Sequence, residues 1–407
     1  MKEFDREILQ EFQKAPFEEA LKELAQYVLK RVVFAEAKDF LEQFTNCYDS
    51  YGRKRLVRNG YHKERQILWS GGSISIQMPR IRDREGKIKY QSHIIPRYLR
   101  RSDKLEKFIP YLYLKGVSTG DFSDVLGCLL GKDVQLSSST VVNLKERWME
   151  EYREWAKRDL SDTEYVYWWA DGVYFNVRME NERSCLLVLM GVRADGKKEL
   201  VAVCDGYRES KLSWKEICLD LKKRGLKKGP RLAIGDGSLG FWAALAEEFP
   251  ETKEQRCWVH KTANVLDKMP KSYQSQAKRK IHEIYMAPTK KEAYRAFDDF
   301  VKMYEAKYCR AVDCLLESKQ ETLAFYDFPA QHWKHIRSTN PIESTFATVR
   351  HRTKRTKGCG SKDATLMMVF KLAKIAEERW HRINKYALIP LVMKGKVFED
   401  GVLKEAA

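Results

Sequence analysis

A run of aromatic and β-branched residues at 165–178, YVYWWADGVYFNVR, constrains the fold most because it has the composition of a buried strand. In an extended strand, Asp171 shares one face with Tyr167 and Trp169. A carboxylate among such neighbours is costly unless a cation or hydrogen-bond donors meet it. Two interpretations stay open: a strand that holds Asp171 against something positive, or a hairpin at Asp171-Gly172, since Asp-Gly between apolar runs is a strong hairpin signal.

The order of the predicted elements after this strand indicates a mixed α/β core. Apolar and periodic runs predict strands at 184–192 and 198–204, a helix at 213–223, a strand at 230–235, a helix at 241–249 and a strand at 252–259. Three strands followed by alternating helices and strands predict a mixed sheet with helices on its faces. We therefore expect an α/β fold whose element order matches a ribonuclease H-like catalytic core.

The rest of the chain is predicted to be mainly helical. A short hairpin turns at Gly71-Gly72, and capped helices within 103–158 are typical of a helix-turn-helix, with a turn at 116–119 and a serine cap at 137–139. We expect a mainly helical DNA-binding region before the core and an all-α insertion within it. The predicted segments are 1–50 (helical), 51–102 (basic, with the hairpin), 103–160 (helix-turn-helix-like), 161–263 (core, first part), 264–336 (helical insertion), 337–358 (core helix) and 359–407 (C-terminal helices).

The positive charge of the chain is clustered. The net charge is +18, and residues 51–116 hold 17 Lys and Arg against 5 Asp and Glu, while residues 337–385 hold 12 against 4. Such clustering favours a binding surface for a polyanion, most simply nucleic acid, over a merely soluble basic protein. Within the first cluster Arg80, Arg82 and Arg84 would share one face of an extended segment and follow a phosphate backbone. A solvated charged strand is the alternative.

Composition also limits where the protein is expected to work. No run of about 18 apolar residues is present, so a membrane-spanning helix is not predicted. The N-terminal sequence MKEFDREILQEFQ is charged and lacks the apolar core of a signal peptide. Nine cysteines without a framework spacing fit reduced thiols. We therefore expect a cytoplasmic, nucleoid-associated protein.

Two further acids are candidates for chemistry. Asp236 follows a short apolar strand, and catalytic groups collect at such strand ends, although an Asp-Gly turn is the simpler interpretation. Glu343 stands three residues after Asn340, with Pro341 between them, which fits a capping box at a helix start. The same predicted helix would carry basic side chains suited to DNA phosphates in its later turns: Arg350, Arg352, Lys354 and Arg355.

A Cys-x-x-His pair, Cys257 and His260, follows the last predicted strand. With His332 and His335 it would complete a four-ligand zinc site. The two pairs border different elements, and no second Cys-x-x-Cys pair is present. The sequence therefore favours a structural or accessory role near the end of the sheet over zinc binding.

Several of these stretches together resemble the Mutator-type family of bacterial insertion-sequence DDE transposases. The similar blocks span most of the chain: RNGYHKER at 58–65, SISIQMPRIRDREG at 73–86, IIPRYLRRSDKLE at 94–106, LKGVSTGDFSDVL at 114–126, ADGVYFNVR at 170–178, IGDGSLGFW at 234–242, QRCWVHKTANVLDKMP at 255–270 and STNPIESTFATVRHRTKRTKG at 338–358. The resemblance implies that Asp171, Asp236 and Glu343 are the catalytic acids. It also matches Cys257 and His260 to the family's cysteine-x-x-histidine signature.

The resemblance implies a metal-dependent reaction on DNA. Three carboxylates would hold two Mg²⁺ ions, with Mn²⁺ as a substitute, about 3.5–4 Å apart in a two-metal site. Such a site would cut at the ends of a mobile element, leave a 3′-hydroxyl, and join that hydroxyl to target DNA. The implied partners are double-stranded DNA, both element ends and target, and further copies of the chain when DNA is bound.

Two other functions remain open from the sequence. Arg350, His351 and Arg352, with 20 tyrosines in the chain, invite comparison with a tyrosine recombinase, although no single tyrosine stands out as a nucleophile. A DNA-binding protein derived from a transposase, without cleavage activity, is the second alternative. The retention of all three acids argues against it.

Overall fold

The computed structural model describes residues 16–114, 117, 121–131, 138–175, 184–206, 208–237, 239–355 and 361–404. The chain divides into two compact units, Met1–Leu144 and Lys145–Ala407. The finer division into seven segments stays a prediction.

The first unit combines helices with two small antiparallel sheets. Its elements are α1 (Phe17–Glu42), β1 (Leu56–Tyr61), β2 (Arg65–Trp69), β3 (Gly72–Ile76), β4 (Pro79–Asp83), α2 (Asp103–Leu114), α3 (Phe122–Leu130) and the start of α4 (Ser138–Ala156). Strand β1 pairs with β4, and β2 pairs with β3 across the predicted glycine turn. Val33 of α1 is buried in a cluster with Ile67, Ile76 and Met78. The predicted turn at 116–119, apart from Val117, and Ser137 lie outside the described residues, so the helix-turn-helix stays a prediction.

The second unit is built on a five-stranded mixed sheet. Its strands are β5 (Tyr165–Phe175), β6 (Ser184–Arg193), β7 (Lys198–Gly206), β8 (Leu232–Gly235) and β9 (Lys253–Arg256), in the spatial order β7-β6-β5-β8-β9. The first three strands are antiparallel neighbours, while β5, β8 and β9 run parallel. The predicted mixed α/β class is confirmed. The hairpin interpretation is wrong, because β5 continues through Asp171 and Gly172, which pair with Val188 and Leu187 of β6.

Aromatic side chains fill the core on one face of this sheet. Helices α5 (Lys211–Lys223) and α6 (Leu239–Glu248) cover that face. Trp168 of β5 meets Phe249 edge-on at 5.5 Å between ring centroids, and Trp214 meets Phe241 at 4.9 Å. Burying side chains of this size contributes much of the stabilisation of a core. The part of β5 that precedes Asp171 is therefore anchored in this core.

The chain after the sheet is mainly helical, and the assignment of 264–336 as an insertion within the core stays a prediction. The helices are α7 (Trp258–Leu266), α8 (Lys271–Met286), α9 (Lys290–Leu316, kinked at Tyr308), α10 (Lys319–Thr322), α11 (Trp333–Ile336), α12 (Asn340–Arg355), α13 (Lys362–Glu377) and α14 (Ile389–Met393). Short 3₁₀ turns occur at Ala324–Asp327, Ala330–His332 and Tyr386–Leu388, and β10 (Phe398–Glu399) pairs with β11 (Val402–Leu403). Helix α12 packs against β5, and α13 packs against β7. Within the described residues, no helix has both the length and the apolar character needed to cross a bilayer.

Candidate active site

Two of the predicted acids follow the paired segments of two neighbouring parallel strands. Trp169 of β5 is paired with Ile234 of β8. Asp171 lies two residues beyond Trp169 within β5, and Asp236 lies two residues beyond Ile234, directly after the end of β8. Both side chains are partly exposed, although the strand residues before them are buried. Both aspartates therefore lie just beyond the segment in which β5 and β8 are paired.

The loop that carries Asp236 is fixed through its backbone. The indole Nε1 of Trp242 donates a hydrogen bond to the carbonyl oxygen of Asp236 at 2.9 Å, and the guanidinium of Arg256 donates to the same oxygen at 2.7 Å. Arg256 also lies over the Trp242 ring, 5.5 Å from its centroid. Because both donors come from elements packed in the core, the position of Asp236 does not depend on the loop alone.

Glu343 is brought to β5 by the first turn of α12. The flanking residues Ile342 and Phe346 are buried, which anchors this turn, while Glu343 keeps 29% of its side chain exposed. The helix already includes Asn340, so the residue that precedes it is Thr339, one position earlier than the predicted cap. The Glu343 carboxylate accepts a hydrogen bond from the Thr339 hydroxyl at 2.9 Å.

Cys257 and His260 lie beside this helix start. The backbone N–H of Cys257 donates to the Gly235 carbonyl at 2.8 Å, which continues the pairing of β8 and β9 at the edge that carries Asp236. Its sulfur accepts a hydrogen bond from the Thr339 backbone at 3.2 Å. His260 Nε2 lies 3.8 Å from Glu343 Oε1. The Cys-x-x-His pair therefore connects the sheet edge to the helix of the third acid.

Electrostatics link His260 to two of the acids. A side-chain hydrogen bond with Cys257, together with the nearby charges of Glu343 and Asp171, raises the pKa of His260 to about 9 although burial opposes the protonated form. An imidazolium is therefore favoured at neutral pH. Asp171 and Glu343 therefore both lie near enough to His260 to stabilise its charged form.

Comparison with known proteins identifies the family to which this chain belongs. The sequence profile of the family described as "Transposase, Mutator family" matches residues 3–383. The chain belongs to the Mutator family of transposases.

Its relatives within the family include transposases of several insertion sequence elements. The chain is 50% identical over 301 residues to the transposase for insertion sequence element IS6120 of Mycolicibacterium smegmatis, covering 74% of this chain and 93% of the relative. It is 50% identical over 280 residues to the transposase for IST2 of Acidithiobacillus ferrooxidans, covering 69% and 95%. It is 28% identical over 373 residues to the transposase for ISRM5 of Rhizobium meliloti, covering 90% of each.

The four-ligand zinc site considered from the sequence does not form in this Mutator-family chain. His332 is buried, with Nδ1 2.7 Å from the Tyr167 hydroxyl and Nε2 3.3 Å from the Lys385 carbonyl oxygen. Burial lowers the pKa of His332 to about 4. His335 Nε2 instead accepts a hydrogen bond from the Asn384 backbone at 3.2 Å. Both histidines serve the packing beneath the sheet.

The predicted basic residues occupy two elements. Arg80 and Arg82 are exposed on β4, on one face as predicted, whereas Arg84 follows the strand and lies 3.7 Å from Asp49. Asp83, between them, is bound by Arg55 through two hydrogen bonds of 2.9 and 3.0 Å. The backbone of α12 includes the four basic residues of its later turns, whose side chains lie outside the described part of the structure: Arg350, Arg352, Lys354 and Arg355.

Two features of the site were missed from the sequence. Glu209 lies against Gly172, so close that a side chain at Gly172 would come within 2.5 Å of its carboxyl group. Thr339 contacts Glu343, Cys257 and His260 together. In the sequence, Thr339 could be noticed only as a threonine directly before the predicted helix start. Threonine is common at that position in any helix, so the pattern did not indicate a role in the site.

Proposed function

We propose that the chain is the DDE transposase of an insertion sequence element, which binds the element ends and catalyses metal-dependent strand cleavage and strand transfer. The observation that supports the proposal most is the position of three acids on contacting elements: Asp171 on β5, Asp236 directly after the parallel strand β8, and Glu343 in the first turn of α12, which packs against β5. The order β7-β6-β5-β8-β9, antiparallel then parallel, supports a ribonuclease H-like core. The transposase names of the relatives support the substrate class.

The donor set fits Mg²⁺. Carboxylate oxygens are the protein ligands that hard divalent cations prefer, and Mg²⁺ keeps several waters, which requires an accessible site. Asp171, Asp236 and Glu343 are each partly exposed, so solvent and substrate oxygens have room beside them. We infer that the three acids together hold divalent metal, with Mn²⁺ able to replace Mg²⁺.

Each residue of the proposed site then has its own role in an in-line displacement at phosphorus. Divalent metal, when bound, neutralises charge on the transferring phosphate and favours deprotonation of the attacking oxygen. Asp171 and Asp236 hold this charge at the rigid sheet edge, and Glu343 closes the ligand set from α12. In cleavage a water oxygen forms the new bond to phosphorus and the strand leaves as a 3′-hydroxyl. In strand transfer the oxygen of that 3′-hydroxyl would form a new bond to a target phosphorus and lose its proton to solvent, while the bond from that phosphorus to the target strand's own 3′ oxygen breaks and this oxygen takes up a proton.

DNA binding is assigned to the two basic clusters. Arg80 and Arg82 extend from β4, and a strand of this length follows a phosphate backbone with alternate side chains on one side. Helix α12 carries Glu343 in its first turn and four basic residues in its later turns. One helix would thus connect a catalytic acid to phosphate-binding residues, and work on DNA would place the protein at the nucleoid.

The proposal predicts that cleavage depends completely on a divalent cation. Purified protein incubated with labelled element-end DNA should nick it in Mg²⁺ or Mn²⁺, and an excess of chelator should abolish nicking until metal is restored. A DNA of the same length with a scrambled end separates specific cleavage from contamination.

Two outcomes would contradict this function. Cleavage at an equal rate in chelator, with DNA covalently attached to the protein, would support the recombinase alternative. Specific binding without nicking in any metal would support a transposase-derived DNA-binding protein.

A further inference from the structure

Thr339 contacts the third acid and both members of the Cys-x-x-His pair beside it. It is fully buried and directly precedes α12. Its Oγ1 lies 2.9 Å from Glu343 Oε1, 3.2 Å from Cys257 Sγ and 3.4 Å from His260 Nδ1.

The hydrogen-bonding capacity of a hydroxyl matches these neighbours. A threonine hydroxyl has one proton to donate and two lone pairs. An ionised carboxylate only accepts, so the proton of Thr339 goes to Glu343. The lone pairs face the Cys257 thiol and the His260 ring nitrogen, both of which have hydrogens to donate. All the capacity of the buried hydroxyl is then used, which favours a single orientation.

The backbone around Thr339 fixes this hydroxyl relative to the sheet. The N–H of Thr339 donates to Cys257 Sγ at 3.2 Å, and the N–H of Cys257 donates to the Gly235 carbonyl at 2.8 Å. The N–H of Trp258 donates to the Arg337 carbonyl at 3.0 Å. Thr339 is therefore tied through Cys257 to the residue that precedes Asp236.

We propose that Thr339 is a positioning residue, which fixes Oε1 of Glu343 and so sets the direction of the other carboxylate oxygen toward the two aspartates. The inference rests on the proposed function, because it assumes that Glu343 is a metal ligand. Partners that orient metal ligands through hydrogen bonds change metal affinity or activity by about 10–100-fold when they are removed. Thr339 would act in this way, and its contacts with Cys257 and His260 would hold its hydroxyl in place.

Removing the Thr339 hydroxyl should weaken metal binding. Thr339→Val keeps the size of the side chain, and we expect it to lower Mn²⁺ affinity, measured by electron paramagnetic resonance without DNA, about 10–100-fold. The Mg²⁺ concentration for half-maximal cleavage should rise in parallel. Thr339→Ser keeps the hydroxyl and should retain most of both.

A matched control lies on the same helix. Thr345 is also buried, and its hydroxyl donates to the Pro341 carbonyl at 3.1 Å rather than to a carboxylate. Thr345→Val should leave Mn²⁺ affinity unchanged even if it lowers the melting temperature. A Thr339→Val protein that binds Mn²⁺ as tightly as Thr345→Val would overturn the positioning role. Failure of the unmodified protein to bind Mn²⁺ would instead refute the proposed function.

A soft metal site is the competing interpretation. The ligand atoms of Cys257, His260 and Glu343 all lie within 4.8 Å of one another. A Zn²⁺ ion among them would lie about 2.0–2.3 Å from each ligand and would compete with the Thr339 hydroxyl for the same space. Stoichiometric Zn²⁺ in the purified protein, lost in Cys257→Ser, would overturn the role of Thr339. Zinc-free protein with the expected Thr339→Val defect supports it.

Discussion

Replacing Asp171 or Asp236 by asparagine, or Glu343 by glutamine, is expected to reduce DNA strand cleavage at least about a thousandfold. Each substitution keeps the shape of the side chain but removes the charge that holds the cation. Bound metal supplies several kcal/mol of transition-state stabilisation, and every ~1.4 kcal/mol changes a rate tenfold. Single-turnover rates on labelled element-end DNA measure the effect.

The same three variants should still bind the DNA, because both basic clusters remain. Glu305, exposed on α9, supplies a matched control. Glu305→Gln should cleave at the unmodified rate. If Glu343→Gln cleaved as fast as Glu305→Gln, the role of Glu343 would be reduced to stabilising the start of α12.

DNA affinity is expected to fall about a thousandfold between about 50 and 200 mM salt. Six basic residues are assigned to phosphates: Arg80, Arg82, Arg350, Arg352, Lys354 and Arg355. Each neutralised phosphate contributes about −0.9 to the slope of log affinity against log salt concentration, which gives a slope of about −5. Fluorescence anisotropy with labelled element-end DNA over this salt range measures the slope.

Individual arginines test the assignment of the strand cluster. Arg80→Ala and Arg82→Ala should each make the slope shallower by about one. Arg84→Ala should change it less, because Asp49 already lies 3.7 Å from the Arg84 guanidinium. Arg295, exposed on α9, is the control, and Arg295→Ala should leave the slope unchanged. A flat salt response of the unmodified protein would contradict phosphate binding by these clusters.

The two strands that position Asp171 and Asp236 could largely be anticipated from local sequence. The aromatic and β-branched neighbours of Asp171 specify a strand strongly enough to override the Asp-Gly turn signal. The short apolar run before Asp236 specifies a second strand. Both strands form because their side chains are buried in the sheet, and the tendency of a segment to be buried can be read from its residue types. The mixed α/β class followed from the same pattern.

The support around Glu343 could not be anticipated in this way. Cys257 and Thr339 are 82 residues apart in the chain, and their contact exists only because β9 and α12 meet at the sheet edge. The approach of Glu209 to Gly172 likewise depends on how the loop before α5 packs on β5. Such contacts between distant segments leave no periodic pattern in the sequence. The helix start itself was placed one residue late, since Asn340 caps as readily as Thr339.

The most direct test of the shared metal site is the position of Mn²⁺ in crystals of the protein, read from anomalous difference density. We predict density between the carboxylates of Asp171, Asp236 and Glu343, and its loss in crystals of Asp171→Asn. Density confined to Cys257 and His260, with none between the two aspartates, would contradict the assignment of these three acids as one metal-binding site.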